Sequence, residues 1–105
     1  MLPDDLLEDV AHLFSLLSDP TRLRLVRELH AAGELPVGEL AERAGTSLAN
    51  ASQHLARLTQ ARLVLRRRDG KRVLCRVEDP RIEQLCEIMC ASVQDRLSPR
   101  SAGVT

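Results

Sequence analysis

The chain has 105 residues, enough for one domain with a modest core. Its fifteen basic and fifteen acidic residues cancel, and no apolar run approaches the ~18 residues of a membrane span. It lacks the basic-then-apolar start of a secretory signal, and its three cysteines have no CxxC spacing, so the reading is a cytoplasmic protein with free thiols and no membrane partner.

Leu6, Val10, Leu13, Phe14 and Leu17 recur at helical spacing and predict an amphipathic helix over residues 4–17. Asp19 suits an N-cap and Pro20 the first position of a second helix, marked by Leu23, Val26 and Leu29 and ended by Gly33. Val37, Leu40, Ala41 and Ala44 give a short third helix stopped at Gly45. Ser47 would cap a fourth, with Ala51, Leu55 and Leu58 on its inner face. Leu63–Arg68 and Lys71–Val77 are β-prone, and Asp69-Gly70 between them is a two-residue hairpin signal. Asp79-Pro80 opens a last helix striped by Ile82, Leu85, Cys86, Met89, Val93 and Leu97. The fold class is therefore mainly α with a β-hairpin wing, in the order α-α-α-α-β-β-α. It forms a single domain over residues 1–97, with a flexible tail over 98–105. Short third and fourth helices joined by Ala44-Gly45-Thr46 make a helix-turn-helix, and the hairpin behind them would be its wing.

Charge is distributed unevenly over this order. Residues 1–46 carry a net −5, residues 47–77 a net +7 and residues 78–105 a net −2. A cationic middle between acidic flanks marks where a polyanion would sit. One Phe and no Tyr or Trp leave almost no stacking surface, which counts against single-stranded nucleic acid, whereas the partner expected of a helix-turn-helix is double-stranded DNA. At about 100° per residue, burying Ala51, Leu55 and Leu58 turns Ala49, Ser52, Gln53 and Ala56 outward and puts Asn50 and Arg57 on the shoulders. His54 falls near the inner edge, where it would orient the helix. Asn50, Ser52 and Gln53 are the candidates for reading bases, because a side-chain amide matches the adenine edge. Thr46, Ser47 and Arg57 would meet phosphate, as would the wing's Arg66, Arg67, Arg68, Lys71 and Arg72. The same residues would serve a solvated helix face and an ordinary charged strand edge. Their conjunction favours DNA.

The segments Leu17-Ser18-Asp19-Pro20-Thr21-Arg22-Leu23-Arg24-Leu25, Glu39-Leu40-Ala41, Ser52-Gln53-His54-Leu55-Ala56-Arg57-Leu58, Arg62-Leu63-Val64 and Arg67-Arg68-Asp69-Gly70-Lys71-Arg72-Val73 carry a resemblance. In their order and spacing the chain resembles the arsenic-repressor/metallothionein-repressor (ArsR/SmtB) family of winged-helix regulators over roughly residues 6–97. The resemblance implies a homodimer packed through the first and last helices, bound to a partly palindromic operator and released by a small inducer. Two of that family's inducer sites do not carry over. The place of a Cys-Val-Cys thiol pair reads Pro36-Val37-Gly38, and the positions of a His- and acid-based zinc site read Asp79, Arg81, Ser92 and Asp95.

Cys86 and Cys90 lie one turn apart on the last helix. Cβ atoms at that spacing are about 5–6 Å apart, and a disulfide needs ~3.5–4.5 Å. Two sulfur–metal bonds of ~2.3 Å span the gap more easily. A third sulfur would come from Cys75, Met89 or the dimer mate. The pair would thus take a soft inducer such as As(III), Cd(II), Cu(I) or Hg(II), and DNA binding itself needs no cofactor. Oxidation or persulfide bridging of the same thiols is the competing chemistry. Ser47–His54 is similar to members joined to a sulfurtransferase (rhodanese) domain, which gives that alternative its hint. Buried, unreactive cysteines are the third reading. His12 and His30 read as surface or interface residues. No Gly-rich phosphate loop or paired His/acid motif supports an enzyme. A winged-helix module that binds protein remains the alternative from another class.

Overall fold

The computed structural model describes residues 3–97. Its elements run α1 (Asp4–Leu17), α2 (Pro20–Ala32), β1 (Leu35–Pro36), α3 (Val37–Arg43), α4 (Leu48–Gln60), β2 (Val64–Asp69), β3 (Arg72–Val77) and α5 (Pro80–Leu97). This is the expected order of five helices and a wing, with one strand added. The proposed tail over residues 98–105 lies outside the described residues.

The punctuation works as local chemistry dictates. The Asp19 carboxylate accepts the Arg22 backbone N–H at 3.1 Å, which holds its proton affinity below the ordinary carboxylate value, and Pro20 follows at the first helical position. Ser47 Oγ accepts the Asn50 N–H at 3.0 Å and starts α4. Between them, α3 ends in a left-handed residue, Gly45, at φ +70°. The Gly45 N–H reaches the Glu42 carbonyl at 3.1 Å and the Thr46 N–H the Ala41 carbonyl at 3.0 Å, the paired closure of a Schellman turn. Arg62 closes α4 with the same two bonds, to Thr59 and from Leu63 to Leu58, at φ +64° without being a glycine.

Two details of the hairpin differ from the sequence reading. β2 starts at Val64 because the Leu63 N–H is committed to closing α4. Pairing continues to Asp69 opposite Arg72, so the loop is Gly70-Lys71 rather than Asp69-Gly70. Gly70 takes φ +64° at the first loop position, which a type II′ turn reserves for glycine. The added strand, β1, pairs Leu35 with Cys75 and Pro36 with Leu74, giving a sheet in the order β1-β3-β2.

The core gathers around α2 and α4. Leu25 and Leu29 from the first, and Ala51, Leu55 and Leu58 from the second, are wholly excluded from solvent, with Leu40 of α3 and Val64 of β2 beside them. No residue of α5 is buried, although Ile82 and Cys86 lean on the core. Its outer side leaves Ile88, Met89, Val93 and Leu97 exposed, as Phe14 is on α1. His30, at the last turn of α2, pins α5 to the body. Its Nε2 meets Glu87 at 2.6 Å and its Nδ1 meets Glu83. Both ring nitrogens can donate only in the imidazolium. The hydrogen bond to Glu83, then that to Glu87, raises the His30 proton affinity above its ordinary value of 6.5.

Two outcomes follow from these contacts. An added Cβ at Gly45 meets nothing within 4 Å, so Gly45→Ala is charged only for its backbone. That cost is about 1 kcal/mol, which lowers the melting temperature of a domain this size by about 4–8 °C; an unchanged melt contradicts the turn geometry. The stabilising contribution of His30 is complete below pH 6.5 and disappears as pH rises through its raised folded value. Amide exchange in α5 should therefore accelerate with alkalinity beyond its intrinsic base catalysis, and His30→Ala should remove that excess.

Candidate nucleic-acid interface

Burial of Ala51, Leu55 and Leu58 determines what α4 shows to solvent. Ala49, Gln53, Ala56 and Arg57 are exposed, as expected. Ser52 is half-buried rather than fully outward, because it sits next to Ala51 at the edge of the packed face. Asn50 is also half-buried, and its Nδ2 donates to Thr46 Oγ1 at 2.7 Å. Thr46 and Asn50 thus brace the turn to the helix, while the Ser47 hydroxyl caps it. Gln53 is the one residue of the expected reading trio whose side chain is both exposed and without a hydrogen-bond partner among the described residues. Leu48, at the start of α4, was missed by sequence reasoning. It is 57% exposed, with nothing in its spacing to distinguish it from a core leucine.

His54 is half-buried, and its Nδ1 accepts from Arg22 Nε at 3.0 Å, across 32 residues of chain. Arg22 Nη1 also donates to the Leu16 carbonyl at 3.1 Å. One guanidinium therefore ties the end of α1 and the start of α2 to the middle of α4.

In the wing, cross-strand partners point to one side of the sheet. Arg66 opposes the buried Cys75, so Arg66 and Arg68 share the face that covers the helical body. Neither they nor Lys71 has an ion-pair partner among the described residues. Arg67 points to the other face. There the Glu34 carboxylate grips it twice, Nε to Oε2 at 2.9 Å and Nη2 to Oε1 at 2.8 Å. The pair lowers the Glu34 pKa and raises that of Arg67. Arg72 faces Asp69 at 3.4 Å beside the turn.

The thiols separate by environment. Cys75 is fully enclosed in the core, and burial pushes its pKa up. Cys86 is half-buried and also raised, first by burial, then by Cys90 and Glu83. Cys90 is exposed. Among the described residues no group of three or more His, Cys, Asp or Glu side chains is placed to hold a metal ion. Of the four zinc-type positions, Asp79 is already engaged by the Arg81 guanidinium at 2.9–3.2 Å, which lowers its pKa. No described helix is long and apolar enough to cross a membrane.

A winged helix-turn-helix with a bare reading helix and a cationic wing defines a class of DNA-binding regulator, and comparison with known proteins narrows it. Residues 17–67 match a helix-turn-helix domain model. The chain is 44% identical over 84 residues to the HTH-type transcriptional regulator KmtR of Mycobacterium tuberculosis, covering 80% of this chain and 64% of that one. It is 38% identical over 79 residues to a cadmium resistance transcriptional regulatory protein, a CadC homolog of Staphylococcus aureus, covering 75% and 65%. It thus spans just under two thirds of these relatives. The homodimeric winged helix-turn-helix DNA-binding domain of Mb0332 from Mycobacterium bovis, described as a possible ArsR-family regulator, superposes with a TM-score of 0.79. It is 30% identical, and the match covers 89% of this chain and 85% of that one. The chain belongs to the ArsR family of winged helix-turn-helix transcriptional regulators.

Glu34 neutralises one wing arginine. Glu34→Gln should tighten binding to duplexes of any sequence and steepen the plot of log K against log salt by about 0.9 for each phosphate gained. An unchanged slope would show that Arg67 stays off the DNA.

Proposed function

We propose that the chain is a homodimeric repressor that binds operator DNA and leaves it when a thiophilic ion binds. The observation that carries this reading is the +7 segment, which folds into one exposed helix and one wing with Arg66 and Arg68 on the face shared with the helical body. Gln53 reads bases, with Asn50 and Ser52 at the helix edge, and Leu48 offers an apolar contact suited to a thymine methyl. Thr46, Ser47, Arg57, Arg66, Arg68, Lys71 and Arg72 address phosphates, and Arg67 joins them when Glu34 lets go. The apolar sides of α1 and α5 that one chain leaves bare are the dimer surface. Two reading helices then meet half-sites about 34–36 Å apart.

Cys86 and Cys90 take the inducer. Their donor chemistry suits a soft ion, As(III), Cd(II), Cu(I) or Hg(II), and the relationship to a cadmium-resistance regulator supports that class. Two thiols of one protomer do not complete a three-sulfur site, so the mate supplies the remainder. Metal ligation and oxidation both require the Cys86 thiolate, so its raised pKa slows either chemistry, and the choice of a soft ion rests on the relationship to the cadmium-resistance regulator. Cys75, closed inside the core, is assigned to packing.

Gln53→Ala should weaken binding to a selected operator about tenfold while leaving random duplex unchanged. Lys71→Ala should weaken both and flatten the salt slope; equal losses on both duplexes for both variants would remove this division of roles. The double variant Cys86→Ser, Cys90→Ser should bind operator as wild type does yet no longer release it with cadmium ion. Undiminished release by cadmium would place the sensor elsewhere. Release of metal-free wild type by peroxide or polysulfide would favour the redox reading.

A further inference from the structure

Arg22 has donors to spare. A guanidinium carries five N–H groups. One goes to His54 and one to the Leu16 carbonyl, and the rest have no acceptor among the described residues. The first of these bonds also sets the imidazole tautomer. Nδ1 of His54 accepts, so the ring proton sits on Nε2 as a donor. Both side chains line a recess of about 620 Å³, together with Asn50, Gln53, Ala56 and Arg57. Two arginines and no carboxylate form this lining. Asp19 lies nearby, but its carboxylate is held by the N-terminus of α2. Of its lining residues on α4, Gln53, Ala56 and Arg57 are exposed, so the recess lies beside the residue assigned above to base reading.

We propose that Arg22 and His54, with Arg57 across the recess, seat one backbone phosphate of the DNA in each half-site. A planar cationic fork and a fixed imidazole N–H, preset by packing, match the oxygens of a phosphodiester. The seat rests on the DNA-binding reading above and adds to it a second anchor. The wing fixes α4 from one side and the seat fixes it from the side of α2, so the depth of α4 in the groove is set from both.

The test uses the whole chain and a 30-base-pair duplex that the wild type selects from a random pool. Neutral methylphosphonate is placed at one backbone position at a time. One position per half-site should weaken wild-type binding about tenfold, and Arg22→Gln should erase the sensitivity at that position while leaving the other positions as they were. Because Arg22 also braces three helices, His54→Asn provides the second variant. Its amide oxygen preserves the acceptor for Arg22 but loses the Nε2 donor, so sensitivity at the same position should shrink. Full sensitivity at every position in both variants, or in His54→Asn alone if Arg22→Gln does not fold, overturns the seat. Selection of no duplex at all would overturn the DNA-binding reading itself.

Discussion

Ala51, Leu55 and Leu58 lose all contact with solvent against α2, α3 and the sheet, and that burial fixes the rotation of α4 about its own axis. A turn of roughly 100° in one sense would drive Asn50, His54 and Arg57 into the core at a prohibitive desolvation cost. The outward face is therefore not chosen residue by residue. It is what remains once three apolar side chains are satisfied. The Gly45 closure fixes where α4 begins, and the Arg62 closure fixes where the chain turns into the wing. The reading helix is held at both ends and along one side before any nucleic acid arrives.

Longer-range polar contacts then decide which charges are available. Arg22 joins α1, α2 and α4, so the helix on the bare apolar side of the molecule is linked by two hydrogen bonds to the middle of the reading helix. At the other end of α2, His30 holds α5 through Glu83 and Glu87, the acids that flank Cys86. Glu34 withholds Arg67. α2 thus carries polar contacts to the proposed sensor helix at one end and to α4 at the other.

Much of the architecture was legible in the sequence because its causes are local. The Asp19-Pro20 and Ser47 starts, the glycine stops and the apolar spacing of α1 to α4 each depend on neighbours within a few residues. β1 was not legible, since two residues ending in proline carry no strand pattern and acquire one only by pairing with β3 some 40 positions away. The left-handed Arg62 has no compositional mark. The loop slipped by one residue because Asp-Gly also suits a strand end followed by a glycine-first turn. Within the site, Gln53, Arg57 and Lys71 were readable from helical rotation and charge. The engagement of Arg67 by Glu34, of Asn50 by Thr46, and of His54 by Arg22 depends on side-chain placement, and for two of these pairs the partners are more than 30 residues apart. The apolar stripe of α5 was legible, but its low burial was not, because a stripe predicts a covered face and none of its residues is buried among the described residues.

The central claim is that one face of α4 and the wing together contact duplex DNA. Backbone amide shifts of the full chain, followed during titration with the selected duplex, address it most directly. The account predicts that the perturbed amides cluster over residues 46–57 and 66–72, with α5 affected only weakly. A map centred on α1 and α5, or no change at saturating duplex, would contradict it.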